Sequence, residues 1–189
     1  GRPSLGSEEI KLTKPLLSQF DAISVRESSS VSILENMGLD GTALKDPVLL
    51  CRPELWHELA ADVPRKGEEY VLVYMLSENP AMCSFARKLA DREGMRARIV
   101  TFNPLKRAPE GLEGVCLPKP EEWVALFRDA SYVVTDSFHG TCFSLLFEHP
   151  MIVFDPPKFS VRLKDVLSDF GLADRRVAEG CDPMHIAAE

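Results

Sequence analysis

Apolar and polar residues follow a repeated order of strand and helix along the second half of the chain. Residues 70–76 are continuously apolar, which is typical of a parallel strand that is covered on both faces. The segment after Pro80 repeats apolar residues at spacings of three and four, so it predicts an amphipathic helix that ends at Gly94. Residues 96–102 predict the next strand, and 131–154 predict a strand, a polar turn, an apolar helix and a second strand.

This alternation predicts an α/β fold, with a Rossmann-like parallel sheet flanked by helices. Two further helices are predicted to begin at Pro120 and Ser160, and the second of them is predicted to close at Gly171. A short strand fits 115–117, inside a loop rich in proline and glycine.

The first third of the chain is less regular. Residues 1–15 are polar and interrupted by proline and glycine, so they predict a linker or a frayed arm, whereas 20–26 is a strand candidate. A polar break at 64–69 predicts a domain junction. We therefore assign 1–66 to a linker and the remnant of an N-terminal Rossmann-like half, and 67–189 to a C-terminal Rossmann-like domain.

Composition narrows the functional classes. The 189 residues include 22 Lys and Arg against 29 Asp and Glu, a net charge of −7, which excludes a broad nucleic-acid-binding face. The five cysteines have no metal-ligand spacing, so we expect reduced thiols and no metal site.

No apolar run is long enough to span a bilayer, and we expect no signal peptide. Because the first residue is glycine rather than methionine, we expect a processed, tagged or truncated product.

The polar turn at 135–140 is the segment most typical of a binding site. It lies between two hydrophobic runs at the carboxyl end of a predicted strand, where parallel α/β sheets bind ligands. Asp136, Ser137 and His139 have the side chains of a catalytic triad. In a catalytic triad the histidine lies between the serine and the aspartate, and three residues this close in sequence cannot easily take up that arrangement. The turn also lacks the GxSxG pattern, so we exclude a triad.

His139 is the candidate catalytic residue of this turn. It falls in the first turn of the predicted helix, where unpaired N–H groups and the helix dipole favour an anion. Gly140 leaves the backbone open to a ligand, while Ser137 and Thr141 offer hydroxyl groups. A bound phosphate or carboxylate would favour the protonated imidazole, so His139 could act as an acid. The alternative is a histidine that only caps the helix.

Four other residues are candidates for substrate binding. Arg26 ends a predicted strand and Arg162 follows the start of a helix, and a guanidinium group in either place can bind a carboxylate or a phosphate. For each arginine the alternative is an ion pair with a nearby acid. Ser77 and Asn79 follow a buried strand and are predicted to line the same crevice, although helix capping alone also explains them.

Several segments together resemble the polysaccharide pyruvyltransferase family. They are, in chain order, FDAISVRES at 20–28, DPVLL at 46–50, YVLVYML at 70–76, PEEW at 120–123 and VVTDSFHGTCFSLLF at 133–147, followed by Ser160 and Arg162. DSFHG with the apolar helix after it is the most specific segment. The resemblance spans roughly 16–175 and implies a GT-B-like architecture whose N-terminal half is incomplete, because only 19 residues precede FDAISVRES.

Members of that family are similar in using phosphoenolpyruvate to place a pyruvate ketal on two hydroxyls of a surface-polysaccharide sugar. The resemblance implies that 67–189 binds this donor and that His139 acts as general acid to its methylene carbon. It also implies that Arg26 and Arg162 hold the phosphate and the carboxylate of the donor. Supporting contacts would come from Ser137, Gly140 and Thr141.

The same resemblance implies no metal and no organic cofactor. The implied partners are phosphoenolpyruvate and a saccharide acceptor, free or lipid-linked, and a second copy of the chain could cover exposed apolar surface. The expected location is the cytoplasm, including the inner face of the membrane. Two alternatives stay open: a GT-B glycosyltransferase that uses a nucleotide sugar, because a fold does not fix its substrate, and a non-catalytic module that retains the fold.

Overall fold

The structure, a computed structural model, describes residues 5–157 and 160–177. The chain divides into two compact units, Gly1–Leu50 and Cys51–Glu189. Each unit has its own sheet.

The described part of the first unit contains three helices and a two-stranded sheet. Its elements are, in chain order, α1 (Ser7–Leu17), β1 (Ser24–Val25), α2 (Ser28–Asn36), β2 (Thr42–Ala43) and α3 (Pro47–Leu50). β1 and β2 pair in parallel, with Ser24 opposite Thr42. The strand predicted over 20–26 is therefore limited to two residues.

Residues 7–17 form a helix, so the prediction of a linker over 1–15 is wrong for this segment. The Glu9 carboxylate accepts a hydrogen bond of 2.8 Å from the Gly6 N–H and caps the first turn. Glu8 and Lys11, three residues apart, form an exposed ion pair at 2.7 Å. The polar composition thus reflects a helix with no buried residue rather than an irregular arm.

The second unit contains a six-stranded parallel sheet flanked by helices, which confirms the predicted Rossmann-like α/β class. Its strands are β3 (Tyr70–Tyr74), β4 (Arg96–Thr101), β5 (Glu113–Cys116), β6 (Tyr132–Thr135), β7 (Met151–Phe154) and β8 (Arg176–Val177). Its helices are α4 (Pro53–Leu59), α5 (Pro80–Glu93), α6 (Pro120–Arg128), α7 (Phe138–Leu146) and α8 (Ser160–Asp169), with a 3₁₀ turn at Ala173–Arg175. No helix among the described residues is both long and apolar enough to cross a membrane.

The strand order in this sheet is β5–β4–β3–β6–β7–β8, and every neighbouring pair is parallel. The chain runs outward from β3 to β5 on one side and outward from β6 to β8 on the other. The direction of winding therefore reverses between β3 and β6, as in a Rossmann fold. At this central pair the register places Val71 opposite Tyr132 and Tyr74 opposite Thr135.

The two faces of the sheet have different cores. Helix α5 covers one face, where its apolar residues pack on alternate residues of the strands; the main contributors are Met82, Phe85, Leu89, Val71, Val73, Ile99 and Val134. An aromatic cluster lies on the other face, formed by Tyr74, Trp123, Phe127, Phe143 and Trp56. Phe143 belongs to α7, so this second core anchors the helix that carries the predicted site.

Local signals set the ends of α5 as predicted. The Asn79 side chain accepts a hydrogen bond of 3.1 Å from the Met82 N–H, and Pro80 occupies the first helical position. Gly94 follows the helix with a φ of 67°, the left-handed conformation that glycine adopts without strain.

Helix α4 belongs to the second unit, so the predicted boundary at 66/67 is wrong. The Arg128 guanidinium, with 5% of its side chain exposed, donates to the carbonyl oxygens of Ala60 at 2.5 Å and Val63 at 3.1 Å. These hydrogen bonds attach the end of α4 to α6. The polar segment at 64–69 is therefore a loop inside the unit, and the division falls between residues 50 and 51.

β8 is a strand that the polar C-terminal sequence does not predict. Arg176 donates two hydrogen bonds, of 2.7 and 2.6 Å, to the Asp155 carboxylate, which follows β7. This pairing aligns a two-residue strand at the edge of the sheet.

Candidate functional site

The candidate site lies at the carboxyl edge of the sheet, where the winding reverses between β3 and β6. Ligands of open α/β sheets bind in the crevice at this position. The loop at 75–79 follows β3, and the turn that starts α7 follows β6. The predicted turn at 135–140 is thus placed at the reversal point of the sheet.

Asp136 connects these two segments. One carboxylate oxygen accepts a hydrogen bond of 2.7 Å from the Leu76 N–H, and the other accepts one of 2.9 Å from the Ser77 N–H. The residue is only 3% exposed, so the carboxylate is held inside the protein rather than offered to a ligand. Asp136 therefore fixes the loop after β3 against the turn after β6.

Thr135 adds a second connection between the same strands. Its hydroxyl donates to the Tyr74 carbonyl oxygen at 2.6 Å and accepts from the Ser137 N–H at 3.0 Å. The turn is therefore held to β3 by two adjacent side chains.

Ser137 and Thr141 are buried and take part in helix capping. The Ser137 hydroxyl accepts a hydrogen bond of 3.3 Å from the Gly140 N–H, as an N-cap residue does. The Thr141 hydroxyl donates to the Ser137 carbonyl oxygen at 3.0 Å. These contacts stabilise the first turn of α7, and a role of either residue in ligand binding stays a prediction.

Gly140 allows α7 to approach the sheet closely. A Cβ at this position would lie 2.3 Å from Thr135 Oγ1 and 3.0 Å from Tyr74 Cδ1. The space that a side chain would need is therefore filled by the sheet. The glycine serves helix packing in this structure, which is a different use from the ligand access that the sequence predicts.

His139 and Arg162 lie next to the same ring. His139 is the second residue of α7 and is exposed, with its ring 5.5 Å from the Phe138 ring. The Arg162 guanidinium carbon lies 4.1 Å from the centre of the Phe138 ring, a cation–π distance. The structure thus brings these two predicted residues together at the N-terminus of α7.

The electrostatics of this helix end favour an anion. The helix dipole places partial positive charge at the N-terminus of α7, and the first turn contains no acidic residue. Arg162 adds a full positive charge beside it. An anion bound at this helix end would lie near the exposed His139 imidazole and near the Arg162 guanidinium, whose Nε and Nη2 are buried.

Ser77 and Asn79 lie in the loop after β3 and line a cavity over the carboxyl ends of β3 and β4. The Ser77 N–H is bonded to Asp136, and the Asn79 side chain caps α5. Asn79 therefore has the helix-capping role that was its alternative interpretation. Contact of either residue with a substrate stays a prediction.

Arg26 lies in the first unit and forms an ion pair. Its Nη1 is 2.6 Å from Oδ2 of Asp46, which is buried and also accepts a hydrogen bond of 3.0 Å from the Val48 N–H. The structure therefore contains the ion pair with a nearby acid that was the alternative interpretation of Arg26. The arginine side chain is 44% exposed, and its contact with a donor stays a prediction.

Metal ligands do not group in the described residues. Within 5–157 and 160–177, no three His, Cys, Asp or Glu side chains lie close enough to hold one ion. The cysteines described there, at positions 51, 83, 116 and 142, form no disulfide with one another.

Comparisons with known proteins find a matching family. The family described as "Polysaccharide pyruvyl transferase" matches residues 2–157. No curated protein matches the chain. One similar solved structure is the dodecameric iron-containing heptosyltransferase TibC in complex with ADP-D-β-D-heptose, at 18% identity over 65% of this chain and 35% of that chain, with a TM-score of 0.44. Another is the wall teichoic acid polymerase TagF, at 13% identity over 79% of this chain and 42% of that chain, with a TM-score of 0.46. The chain thus matches less than half the length of either of these chains.

Proposed function

Because the chain belongs to the polysaccharide pyruvyl transferase family, we propose that it binds phosphoenolpyruvate and transfers the pyruvyl group to two hydroxyls of a saccharide. The product is a cyclic ketal on a polysaccharide sugar. The observation that carries this proposal is the position of His139 and Arg162 beside Phe138 at the N-terminus of α7.

Phosphoenolpyruvate has two anionic groups, a phosphate and a carboxylate. Arg162 and the N-terminus of α7 suit one of them, because a guanidinium group and a helix end both favour an oxyanion. Arg26 belongs to the first unit, and its part in substrate binding stays a prediction. The proposal needs no metal and no organic cofactor.

His139 supplies the proton in this proposal. The imidazolium protonates the methylene carbon of phosphoenolpyruvate, which becomes a methyl group and leaves C2 electrophilic. One sugar hydroxyl adds to C2, and its proton restores the His139 imidazolium. The second hydroxyl then displaces phosphate from C2 and its proton leaves with hydrogenphosphate, so both oxygens of the ketal come from the sugar. Removal of a general acid lowers a rate by about two to four orders of magnitude.

A transfer assay tests this role. His139→Ala should lower the rate of phosphate release in the presence of saccharide acceptor by about two to four orders of magnitude. His57→Ala is the matched control, because His57 is also an exposed helical histidine and lies outside the candidate site. A His139→Ala protein with the rate of the wild type would rule out His139 as the acid.

Binding measurements on the wild-type and His139→Ala proteins separate the two alternative functions from the proposed one. A glycosyltransferase would bind a nucleotide sugar and ignore phosphoenolpyruvate. A non-catalytic module would bind neither ligand, and His139→Ala would not change its behaviour.

Arg162→Lys should weaken phosphoenolpyruvate binding if the planar guanidinium contacts the donor, because lysine cannot form the paired hydrogen bonds.

A further inference from the structure

The cavity that Ser77 and Asn79 line has a volume of about 550 Å³ and lies over the carboxyl ends of β3 and β4. The loop after β3 and the first turns of α5 form one wall, and the end of β4 with the loop after it forms the other. The volume falls in the range of about 300–1,000 Å³ that is usual for small-molecule sites. The chemistry proposed for His139 leaves the cavity itself without a function.

Three basic side chains line this cavity, although the net charge of the whole chain is −7: Arg87, Lys106 and Arg107. Glu78 and Glu110 also line it, so three cations against two acids leave a net charge of +1. Lys106 pairs with Glu78 at 2.9 Å, but both groups are exposed, and exposed ion pairs contribute little to stability. An anionic ligand can therefore replace Glu78 as the partner of Lys106.

Arg87 has a different role from the other two cations. Its Nη1 donates a hydrogen bond of 3.3 Å to the Glu110 carbonyl oxygen, which holds the guanidinium at the cavity wall. Arg107 is exposed and lies next to Lys106 in the chain. The exposed positive charge available to a ligand thus comes from two adjacent residues, Lys106 and Arg107.

The rest of the lining is largely apolar. Its apolar side chains include Met75, Leu76, Cys83, Ile99 and Phe102. Leu76 and Phe102 are both exposed large hydrophobic residues, and Leu105 in the same loop is a third. Exposed apolar side chains next to a cationic pair favour a ligand with an apolar part joined to an anionic part.

We propose that this cavity binds an organic phosphate ester that has a short aliphatic group. The phosphate lies beside Lys106 and Arg107, and the aliphatic group lies against Leu76 and Phe102. An aliphatic group fits better than a nucleotide base, because Leu76 offers no flat surface for stacking. The Phe102 ring already makes an edge-on contact with Tyr74, at 6.2 Å between ring centres.

Calorimetric titration with geranyl phosphate tests the site, with inorganic phosphate and AMP as comparison ligands. Geranyl phosphate should bind at least about ten-fold more tightly than inorganic phosphate, because each methylene group removed from water contributes to binding. Lys106→Ala/Arg107→Ala should raise its dissociation constant about ten-fold or more, since hydrogen bonds to charged groups are lost. Leu76→Ser should weaken binding of geranyl phosphate and leave binding of inorganic phosphate unchanged.

The control variant is Lys11→Ala/Lys88→Ala, which removes the same charge from exposed positions outside the cavity. It should bind geranyl phosphate like the wild type. Three results would each overturn the proposal: AMP bound more tightly than geranyl phosphate, geranyl phosphate bound no better than inorganic phosphate, or no loss in Lys106→Ala/Arg107→Ala.

The proposal for this cavity and the proposed function can be tested independently of each other. His139→Ala should leave geranyl phosphate binding unchanged, because His139 does not line the cavity. Phosphoenolpyruvate binding, measured on Lys106→Ala/Arg107→Ala, should likewise match the wild type. A protein that binds one ligand and not the other therefore identifies which of the two proposals is wrong.

Discussion

Asp136 holds the two loops of the candidate site together with a single buried carboxylate. Its two oxygens accept hydrogen bonds from the backbone N–H groups of Leu76 and Ser77, at 2.7 and 2.9 Å. Asp136→Asn replaces one acceptor oxygen with an NH₂ group that faces a backbone donor. We expect a loss of about 1–3 kcal/mol in the free energy of unfolding, measured by urea denaturation.

Asp62→Asn is the control for this substitution, because Asp62 is exposed. It should change the free energy of unfolding by less than about 0.5 kcal/mol. An Asp136→Asn protein as stable as the wild type would show that the two hydrogen bonds are not needed to hold the loops.

Gly140 is required by the approach of α7 to the sheet. Gly140→Ala would place a Cβ 2.3 Å from Thr135 Oγ1, so the helix must shift or the hydroxyl must move. We expect a loss of about 1–3 kcal/mol in unfolding free energy, as for other overpacked sites. Thr135→Ala removes the clashing atom, so adding it to Gly140→Ala should cost less than the sum of the two single changes. Strict additivity in this double-mutant cycle would contradict the packing explanation.

At the residue scale, local sequence predicted part of the site. His139 and Arg162 could be placed because a strand, an N-cap serine and a helix start fix their positions over a few residues. The role of Asp136 could not, because its hydrogen-bond partners lie 60 and 59 residues away. The packing role of Gly140 depends on the nearby Thr135 and also on Tyr74, which is far away in sequence.

Helix α4 is attached to the second unit by a buried arginine. Arg128→Ala would remove the hydrogen bonds that the guanidinium donates to the Ala60 and Val63 carbonyl oxygens and its ion pair with the Asp129 carboxylate. Loss of one member of a buried charged network costs about 3–5 kcal/mol, and we expect a loss of that size in thermal or urea unfolding.

Arg65→Ala is the matched control for Arg128→Ala. Arg65 also approaches Asp129, at 3.6 Å, but its side chain is 69% exposed. We expect a loss of less than about 1 kcal/mol for this exposed ion pair. Equal losses for the two variants would contradict the anchoring role of Arg128.

His149 gives the second unit a pH-dependent stability. Burial lowers the pKa of His149, whose Nε2 lies 3.2 Å from the Arg128 carbonyl oxygen. The unfolded chain, with a histidine pKa of about 6.5, therefore takes up a proton more readily than the folded chain. The contribution of His149 is present in full above about pH 6.5 and is lost as the pH falls through the folded-state pKa.

Urea unfolding between pH 7.5 and 5.5 measures this effect. The free energy of unfolding of the wild type should decrease toward pH 5.5, by at most about 1.4 kcal/mol per pH unit from this group. His149→Gln should reduce that slope, whereas His57→Gln, at an exposed histidine, should keep it. The same slope in wild type and His149→Gln would contradict the assignment.

At the element scale, the sequence predicted elements with strong periodicity or clear caps. Helix α5 has both, with an apolar stripe, an Asn79 cap and a terminal Gly94. Helix α1 has no buried residue, so a core-facing stripe could not identify it. Strand β8 has two residues, and its ion pair with Asp155 lies outside any local pattern.

At the scale of the whole molecule, the order of strands and helices predicted a Rossmann-like sheet. The domain boundary could not be read in the same way. A polar segment at 64–69 resembles an interdomain linker in composition, whereas its place in the second unit depends on Arg128, far along the chain. Strand order is reflected in sequence periodicity, but attachment of a loop by one distant side chain is not.

The central claim is that the helix end formed by His139 and Arg162 binds phosphoenolpyruvate. The most direct test is calorimetric titration of the chain with phosphoenolpyruvate at low salt, with inorganic phosphate as the comparison ligand. We predict tighter binding of phosphoenolpyruvate than of phosphate, a loss of that difference in His139→Ala and Arg162→Ala, and no loss in His57→Ala. Phosphoenolpyruvate bound no better than phosphate, or bound equally well by all the variants, would contradict the claim.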